Sequence, residues 1–201
     1  PWDSRGTGGT RTVTTDEDLV RAFGDGDDRA YALLYDRLRR PLFLFAARML
    51  GDGEAARDLV QDVFLALLER RGQMREVRSV RAWLFTVARN RCLTWLRQGR
   101  NRSRLDEAAA GEAAAAAAPA GDEDAALVRR ALAELPDEQR EVLILREYQD
   151  LSYREIAAIA QTTESAVKSR LFRARQALGE RLRPIWPRGD EPCGARTEGS
   201  D

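Results

Sequence analysis

The sequence predicts an all-α protein made of two small helical domains joined by a flexible linker. Apolar residues recur at the three-to-four-residue spacing of amphipathic helices through most of both halves of the chain. No stretch of any length shows the strict alternation of apolar and polar residues that marks a half-buried strand. The segment LDEAAAGEAAAAAAPAG, residues 105–121, is of low complexity and has the composition of a linker.

The same features predict the domain boundaries. Residues 1–14 are rich in Gly and Thr, so we expect a disordered N-terminal tail there. A first domain then covers residues 15–100, a linker covers residues 101–122, and a second domain covers residues 123–183. Residues 184–201 have no clear pattern and are expected to form a C-terminal tail.

Four helices are expected in the first domain. A short helix begins near Thr15 and is broken by the sequence GDGD at residues 24–27. The next apolar pattern runs from Ala30 to Met49, and Pro41 inside it predicts a kink or two abutting helices. A third helix follows from Glu54 to about Arg70. A polar, basic loop over residues 71–78 then precedes a fourth, Arg-rich helix.

The second domain opens with two helices that Pro136 separates. The first is expected over residues 123–135, where Ala126, Leu127, Ala131 and Leu132 supply the apolar side. The second is expected over residues 137–147, and Val142, Leu143 and Leu145 supply its apolar side.

The second domain ends in a predicted helix-turn-helix. Ser152 and Glu155 have the spacing of a capping box, which predicts a helix that starts at Ser152. Gln161 and Thr162 form a short turn, and the hydroxyl of Thr163 caps a final helix. The turn lacks the glycine that many such motifs carry.

The final helix has two different sides. Its expected buried side repeats at helical spacing and consists of Val167, Leu171, Ala174 and Leu178. The opposite side mixes hydroxyl, amide, aromatic and cationic groups, a composition that suits a DNA major groove. The opposite side holds Ser165, Ser169, Phe172, Arg173 and Gln176, and it is flanked by Lys168, Arg170 and Arg175. Of these residues, all but Arg175 are expected to bind the DNA. On composition alone, a solvated Arg-rich helix with Phe172 packed on a neighbouring element is an equal alternative.

Charge and composition exclude several classes of function. Charged residues make up 33% of the chain and balance to a net charge of zero, so a nucleic-acid surface requires local segregation of charge. Residues 163–183 provide it, with six cations against two acids. The chain has no His, and Cys92 and Cys193 lie far apart, so we expect no catalytic site, metal site, disulfide or cofactor. We expect a reducing, cytoplasmic setting and no membrane insertion.

The first domain offers two polar surfaces. Asp58, Gln61 and Asp62 lie largely off the apolar side of the third helix and form an acid/amide patch. The fourth helix combines several arginines with Trp83 and Trp95, which suits a surface that grips a nucleic-acid backbone. The simpler alternatives are a solvated patch, a solvated arginine face and a Trp83 that belongs to the core.

In combination, these motifs resemble the extracytoplasmic-function (ECF) sigma factors, the minimal promoter-specificity subunits of bacterial RNA polymerase. The resemblance covers about residues 18–183. LYDRLRRPLFLFAARMLGDGEAARDLVQDVFLALLE is similar to regions 2.1 and 2.2 of the family, and SVRAWLFTVARNRCLTWLRQGR is similar to regions 2.3 and 2.4. ALAELPDEQREVLILREYQDLSYREIAAIAQTTESAVKSRLFRARQAL is similar to region 4. This family lacks regions 1.1 and 3, which is consistent with a linker directly between the segments that are similar to regions 2 and 4.

The resemblance implies a role for each polar surface of the first domain. The acid/amide patch occupies the positions that bind the clamp helices of the β′ subunit. Residues 71–79 would capture a flipped base of the minus-10 element, and the following helix would hold the single strand. The family commonly has Asp where Thr94 stands, so the family's contacts near that position are not carried over to this chain. The residues expected to bind the minus-10 element are Arg78, Arg81, Trp83, Arg89, Asn90 and Arg97.

For the second domain, the resemblance implies recognition of the minus-35 duplex. The family positions for this contact fall on Lys168, Ser169, Arg170, Phe172 and Arg173. Three of these residues, Ser169, Phe172 and Arg173, also belong to the outward side that helical phase alone selects.

We therefore expect a non-catalytic sigma factor that binds core RNA polymerase, through the β′ clamp helices and the β flap, and directs promoter recognition. Promoter DNA and an anti-sigma factor are the other expected partners. The main alternative is a stand-alone helix-turn-helix regulator, which would leave the first domain without a task. An enzyme is disfavoured because no His, spaced metal ligands or Gly-rich phosphate loop is present. A further alternative is a helical interaction protein, such as an anti-sigma antagonist or adaptor, which predicts no DNA binding in the presence of polymerase.

Overall fold

The computed structural model describes residues 15–107 and 123–183, and every regular element within these ranges is helical. The predicted all-α fold with two helical domains is therefore confirmed. The elements are α1 (Asp16–Gly24), α2 (Asp28–Leu50), α3 (Gly53–Glu69), a 3₁₀ helix (Arg71–Glu76), α4 (Val80–Glu107), α5 (Glu123–Ala133), α6 (Asp137–Glu147), α7 (Tyr153–Ala160) and α8 (Glu164–Leu182).

The predicted tails, residues 1–14 and 184–201, lie outside the described residues, as does the linker prediction for residues 108–122. The helix α4 continues to Glu107, into the beginning of the segment predicted as linker.

The N-terminal unit is built around α2, which contacts α1, α3 and α4. Four phenylalanines from four different helices, Phe23, Phe45, Phe64 and Phe85, are buried between these elements. The rings of Phe45 and Phe85 meet edge to face with their centroids 5.6 Å apart, a favourable arrangement for aromatic pairs.

Pro41 does not divide α2 into two abutting helices, and that part of the prediction is wrong. The helix runs through the proline without interruption from Asp28 to Leu50. Proline removes one hydrogen bond and crowds the preceding turn, at a cost of about 3 kcal/mol. Buried side chains on both sides of it, including Leu38, Leu42 and Phe45, hold the whole helix against one core.

The polar loop predicted over residues 71–78 also needs correction, because residues 71–76 form the 3₁₀ helix. The side chain of Met74 is fully buried and anchors this short helix to the core. Arg71 adds a second anchor, since its Nε donates a hydrogen bond to the carbonyl oxygen of Phe23 at 2.8 Å.

The C-terminal unit is built around α6, which contacts α7 and α8 and also reaches α2 of the N-terminal unit. All six residues from Arg140 to Leu145 are buried. A helix that is buried on every side lies between neighbours instead of on a surface. Further contacts between the two units join α2 to α5 and α4 to α7.

The helix-turn-helix forms as predicted. The capping box is present: the hydroxyl of Ser152 accepts from the backbone N–H of Glu155, and the Glu155 carboxylate accepts from the backbone N–H of Ser152 at 2.8 Å. The hydroxyl of Thr163 caps α8 by accepting from the N–H of Ala166 at 3.1 Å. Gln161 takes the left-handed conformation, with φ of 52°, that a glycine often supplies at such a turn.

We predict that Ser152→Ala lowers the free energy of unfolding by about 1 kcal/mol, the typical cost of losing an N-cap. The hydroxyl and N–H of Ser152 lower the pKa of Glu155 below its ordinary value. The stability that these hydrogen bonds to the Glu155 carboxylate contribute is present above the unfolded-state pKa of Glu155 and is lost as pH falls through its folded-state pKa. The difference in stability between Ser152→Ala and the parent should therefore become smaller in acid. Urea denaturation of parent and variant at neutral and acid pH measures this difference in the free energy of unfolding. Ser169→Ala, exposed in the middle of α8, is the matched control, and an equal loss there would contradict the capping role.

We also predict that Gln161→Gly raises the free energy of unfolding by up to about 1 kcal/mol. The left-handed conformation costs a residue with a Cβ roughly 1–2 kcal/mol, and the greater chain entropy of glycine offsets part of the gain. Gln161→Val should lower stability, because β-branched residues are strained at positive φ. Chemical denaturation of both variants provides the test. A glycine variant less stable than the parent would show that the side chain of Gln161 matters more than its backbone.

Candidate nucleic-acid interface

The outward side of α8 is exposed over most of its length. Ser165, Lys168, Ser169, Arg173 and Gln176 are exposed, and 71% of Phe172 is accessible. Val167, Leu171 and Ala174 are buried on the opposite side, as helical phase predicts. The alternative in which Phe172 packs on a neighbouring element is therefore wrong. An exposed aromatic ring between cations is an unusual surface feature, and it suits contact with another molecule.

Arg170 differs from the rest of this predicted set. Its guanidinium lies 2.7 Å from Oε2 of Glu138, and its side chain is only 22% exposed. Arg175, on the flank of the helix, similarly lies 2.6 Å from a carboxylate oxygen of Glu147. These two ion pairs tie α8 to α6, and a third joins Arg181 near the end of α8 to Glu134 at 2.9 Å. Lys168 and Arg173 are exposed on the outward side.

A shallow groove of about 420 Å³ lies where α7 meets the outward side of α8. Tyr153, Lys168, Phe172 and Gln176 are among its lining residues. The Nζ of Lys168 lies 5.6 Å from the centre of the Tyr153 ring, within the range of a cation–π contact. Tyr153 was not among the predicted binding residues, because its phase assigned it to the apolar side of α7.

The acid/amide patch on α3 is exposed at Asp58, Gln61 and Asp62. One turn further along the same side, Leu65 is 55% exposed. Leu68, 41% exposed, extends the apolar part of this surface. The predicted site omitted both leucines. The signal that could have found them is spacing, because Leu65 follows Asp62 by three residues and Leu68 follows Leu65 by three.

A groove of about 610 Å³ separates α3 from α4 and brings the two predicted surfaces of the N-terminal unit together. Asp58 and Asp62 line one wall, while Asn90 and Trp95 line the other. An ion pair crosses it, since Nη1 of Arg91 lies 2.6 Å from Oδ2 of Asp62.

The residues predicted to bind the minus-10 element divide into two groups. Arg78, Asn90 and Arg97 are exposed, and Trp83 is half-buried against the core. Arg81 and Arg89 instead face the C-terminal unit. Nη2 of Arg81 donates to the carbonyl oxygen of Gln149 at 2.9 Å, and Nε of Arg89 lies 3.1 Å from Oε1 of Glu141.

Glu141 is a fully buried carboxylate that sequence reasoning did not single out. Burial raises the pKa of Glu141 above its ordinary value, and the nearby guanidinium of Arg89 opposes that rise. A possible signal is its place directly before the buried run Val142–Leu145, where an acid requires a partner.

The described residues offer no group of three or more side chains that could hold a metal ion. Burial also raises the pKa of the Cys92 thiol to about 12, so this group stays protonated at neutral pH. Within the same two ranges, no helix is long and apolar enough to cross a membrane. The chemistry that these surfaces present is that of recognition by charge, hydrogen bonding and stacking.

Comparison with protein families finds a separate match for each of the two helical units. Residues 34–102 match the model of sigma-70 region 2, and residues 125–178 match the model of sigma-70 region 4.

Curated proteins of similar sequence include two sigma factors. The RNA polymerase sigma-H factor of Pseudomonas aeruginosa is 30% identical over 188 residues, which cover 87% of this chain and 97% of the relative. The ECF RNA polymerase sigma-E factor of Escherichia coli is 30% identical over 184 residues, which cover 85% of this chain and 96% of the relative.

Two solved structures are also similar to this chain. One is the sigma factor RpoE in complex with the anti-sigma factor NepR from Bartonella quintana, with a TM-score of 0.64 and 29% identity over 77% of this chain and 98% of that one. The other is CnrH in complex with the cytosolic domain of CnrY, with a TM-score of 0.63 and 27% identity over 84% of this chain and 97% of that one. Because both units and nearly the whole length of the relatives are matched, the chain belongs to the ECF family of RNA polymerase sigma factors, which direct promoter recognition.

Proposed function

We propose that this sigma factor reads a minus-35 element by placing the outward side of α8 in the major groove. The observation that carries the proposal is Phe172, whose ring is 71% exposed beside Ser169 and Arg173. Arg173 and Gln176 offer donors to base edges, and the ring of Phe172 offers an apolar surface to a thymine methyl. Lys168 and the half-buried Arg170 contact the phosphate backbone. Such contacts fix the position of the protein on the duplex but do not read the base sequence.

The N-terminal unit, in this proposal, holds the melted minus-10 strand. Arg78, Asn90 and Arg97 are exposed and supply cations and an amide for backbone and base contacts. Arg81, Trp83 and Arg89 complete the set named by the family resemblance. Extruding a base costs a few kcal/mol, which contacts to the exposed strand must offset. Catalysis by this chain is not required, so we propose that it acts by binding alone.

Docking on core polymerase is assigned to the acid/amide patch of α3. Asp58, Gln61 and Asp62 offer carboxylates and an amide to the basic β′ clamp helices, and the exposed Leu65 and Leu68 add apolar contact area. Charge complementarity steers such encounters, while the apolar groups supply burial. A second contact of the C-terminal unit with the β flap follows from the family resemblance.

Each of these contacts is weak alone, and the polymerase scaffold makes the later ones intramolecular. Linking the two units through one chain raises the effective concentration of the second DNA contact. Binding should weaken steeply with salt, because phosphate contacts release counterions.

We further propose an anti-sigma partner and a cytoplasmic location for this chain. Two structural relatives are complexes with NepR, an anti-sigma factor, and with the cytosolic domain of CnrY. The stand-alone regulator is not favoured, since region 2 is matched as well as region 4. Transcription in vitro with core polymerase over a library of promoters tests the whole proposal. Promoter-specific transcripts support it, and binding to DNA without any stimulation of polymerase would contradict it.

We predict that Arg173→Ala reduces discrimination between the best promoter and its minus-35 mutants by about 1–3 kcal/mol, because a base-edge contact is lost. Lys168→Ala should instead weaken binding to all sequences by a similar factor and reduce the salt slope. Holoenzyme binding to a series of minus-35 mutants measures both effects. Uniform weakening by Arg173→Ala would assign that residue to phosphate.

We predict that Asp62→Lys weakens binding to core polymerase by at least about tenfold, or roughly 1.4 kcal/mol, through like-charge repulsion with the β′ clamp helices. Asp36→Lys is the control, since this exposed acid of α2 lies outside the patch. Competition between labelled parent and variant for core polymerase provides the measurement. Equal affinity of Asp62→Lys and the parent would remove the patch from the docking surface.

A further inference from the structure

The C-terminal end of α1 lies against the 3₁₀ helix, and two arginines of that short helix bind it. Nε of Arg71 donates to the carbonyl oxygen of Phe23 at 2.8 Å, and Nε of Arg75 donates to the carbonyl oxygen of Gly24 at 3.3 Å. The last carbonyls of a helix lack acceptor partners within it, so side-chain donors that reach them complete the end of the helix. We call these contacts the α1 junction.

Each arginine makes a second contact at the α1 junction. Nη1 of Arg71 lies 2.8 Å from Oδ1 of Asp28 at the start of α2, and its guanidinium carbon lies 4.9 Å from the centre of the buried Phe23 ring. Nε of Arg75 also lies 2.8 Å from Oδ1 of Asp25. The planar guanidinium of Arg71 thus meets a carbonyl, a carboxylate and a ring at once, which a lysine ammonium cannot reproduce.

Gly24, the last residue of α1, is so close to the 3₁₀ helix that a side chain does not fit there. A Cβ at this position would lie 2.8 Å from Cγ of Arg75 and 3.2 Å from the backbone nitrogen of the same residue. Non-bonded carbon atoms prefer separations of about 3.5–4.0 Å. Because Cγ and the nitrogen lie on or near the main chain, the 3₁₀ helix itself would have to shift. The glycine therefore sets how closely α1 and the 3₁₀ helix approach.

A short link of three residues connects the 3₁₀ helix to α4. At its beginning, the N–H of Val77 donates to the carbonyl oxygen of Met74 at 3.2 Å. At its end, Oγ of Ser79 accepts from the N–H of Ala82 at 3.2 Å, in the first turn of α4. Three residues span at most about 11 Å, so the link has little slack. A shift of the 3₁₀ helix therefore reaches Arg78, the exposed residue in the middle of the link.

We propose that α1 positions the segment that captures the minus-10 strand, and that Arg71 and Gly24 are positioning residues for recognition of this element. The inference rests on the proposed function of Arg78 and on the base capture that the family resemblance implies for residues 71–79. Arg71 acts through the main chain of the 3₁₀ helix. Its side chain is only 32% exposed, and a carbonyl and a carboxylate already occupy its Nε and Nη1.

The cost of a misplaced base contact sets the size of the expected effect. A wrong base in a recognition site weakens binding by roughly five- to a hundredfold. A small shift of the capture segment weakens a base contact without removing it, so we expect the lower end, about a fivefold loss of discrimination at one minus-10 position. Discrimination is a ratio of affinities and does not depend on the folded fraction. A variant that is only less stable keeps the ratio of the parent.

The test uses holoenzyme, formed from the full chain and core polymerase, and a set of fluorescent promoters with single-base changes in the minus-10 or minus-35 element. Gly24→Ala inserts a methyl group between α1 and the 3₁₀ helix. It should lower minus-10 discrimination about fivefold and leave minus-35 discrimination unchanged. Gly53→Ala is the matched control, because a Cβ at this first residue of α3 meets no atom within 4 Å.

Arg71→Lys tests the same junction without a steric change at α1. The variant keeps the positive charge, but its ammonium cannot hold the Phe23 carbonyl and the Asp28 carboxylate in one plane. We expect the same loss of minus-10 discrimination, whereas a phosphate contact by Arg71 predicts that the lysine preserves it. Arg70→Lys, at the exposed preceding position, is the control. Circular dichroism establishes folding, and if Gly24→Ala does not fold, Arg71→Lys decides.

The outcomes separate the positioning role from the proposed function. Loss of minus-10 discrimination in the junction variants, with minus-35 discrimination and both controls at the values of the parent, supports the positioning role. Unchanged minus-10 discrimination in a folded junction variant, or an equal loss at both elements, would overturn it while the function stands. If the parent holoenzyme itself does not distinguish minus-10 bases, the proposed function of the N-terminal unit fails.

Discussion

Burial of one side of α8 against α6 and α7 is the constraint on which the proposed recognition surface depends. Val167, Leu171 and Ala174 have almost no exposed surface, so they fix the rotation of the helix about its axis. Rotation by one residue would turn the side chains by about 100° and bury the polar side. The exposure of Ser169, Phe172 and Arg173 thus follows from the packing of their apolar neighbours.

Because the chain has no net charge, its ability to bind DNA depends on where the individual charged side chains lie. The same number of acids and cations could yield a featureless surface, but the described chain directs them to different places. Acids of α6 pair with arginines of α4 and α8, while Lys168 and Arg173 of α8 are exposed on its outward side. Ion pairs within the protein reduce the number of arginines available to DNA phosphates, whose contacts with cations supply most of the non-specific affinity for DNA.

Local chemistry allowed much of the fold to be predicted. Ser152 and Thr163 marked helix starts by their hydroxyls, and the stripe from Val167 gave the correct phase for α8. The failures arose where tertiary packing overrode local preference. Pro41 lies inside a continuous α2 because buried residues on both sides of it hold the helix against the core. The buried side chain of Met74 anchors a 3₁₀ helix where a polar loop was expected. A single buried methionine among charged residues gives no periodicity, so the pattern could not reveal it.

The candidate site, like the fold, has features that local sequence predicts and features that depend on tertiary packing. Exposure of the α8 residues follows from helical phase and could be foreseen, whereas the enclosure of Arg89 by Glu141 could not. That contact joins residues 52 positions apart in different units, and neither charge pattern nor spacing indicates it. The solvent-exposed Leu65 is likewise absent from the predicted patch, because that patch was defined by polar side chains alone.

The central claim is that the outward side of α8 touches the promoter at the minus-35 element. A photo-crosslinking amino acid placed at position 172, in holoenzyme bound to a promoter, tests this contact directly. The account predicts a crosslink to bases of the minus-35 element, and none from the same group placed at position 180 near the end of the helix. A crosslink from position 172 to a polymerase subunit alone, or to no nucleotide at all, would contradict it.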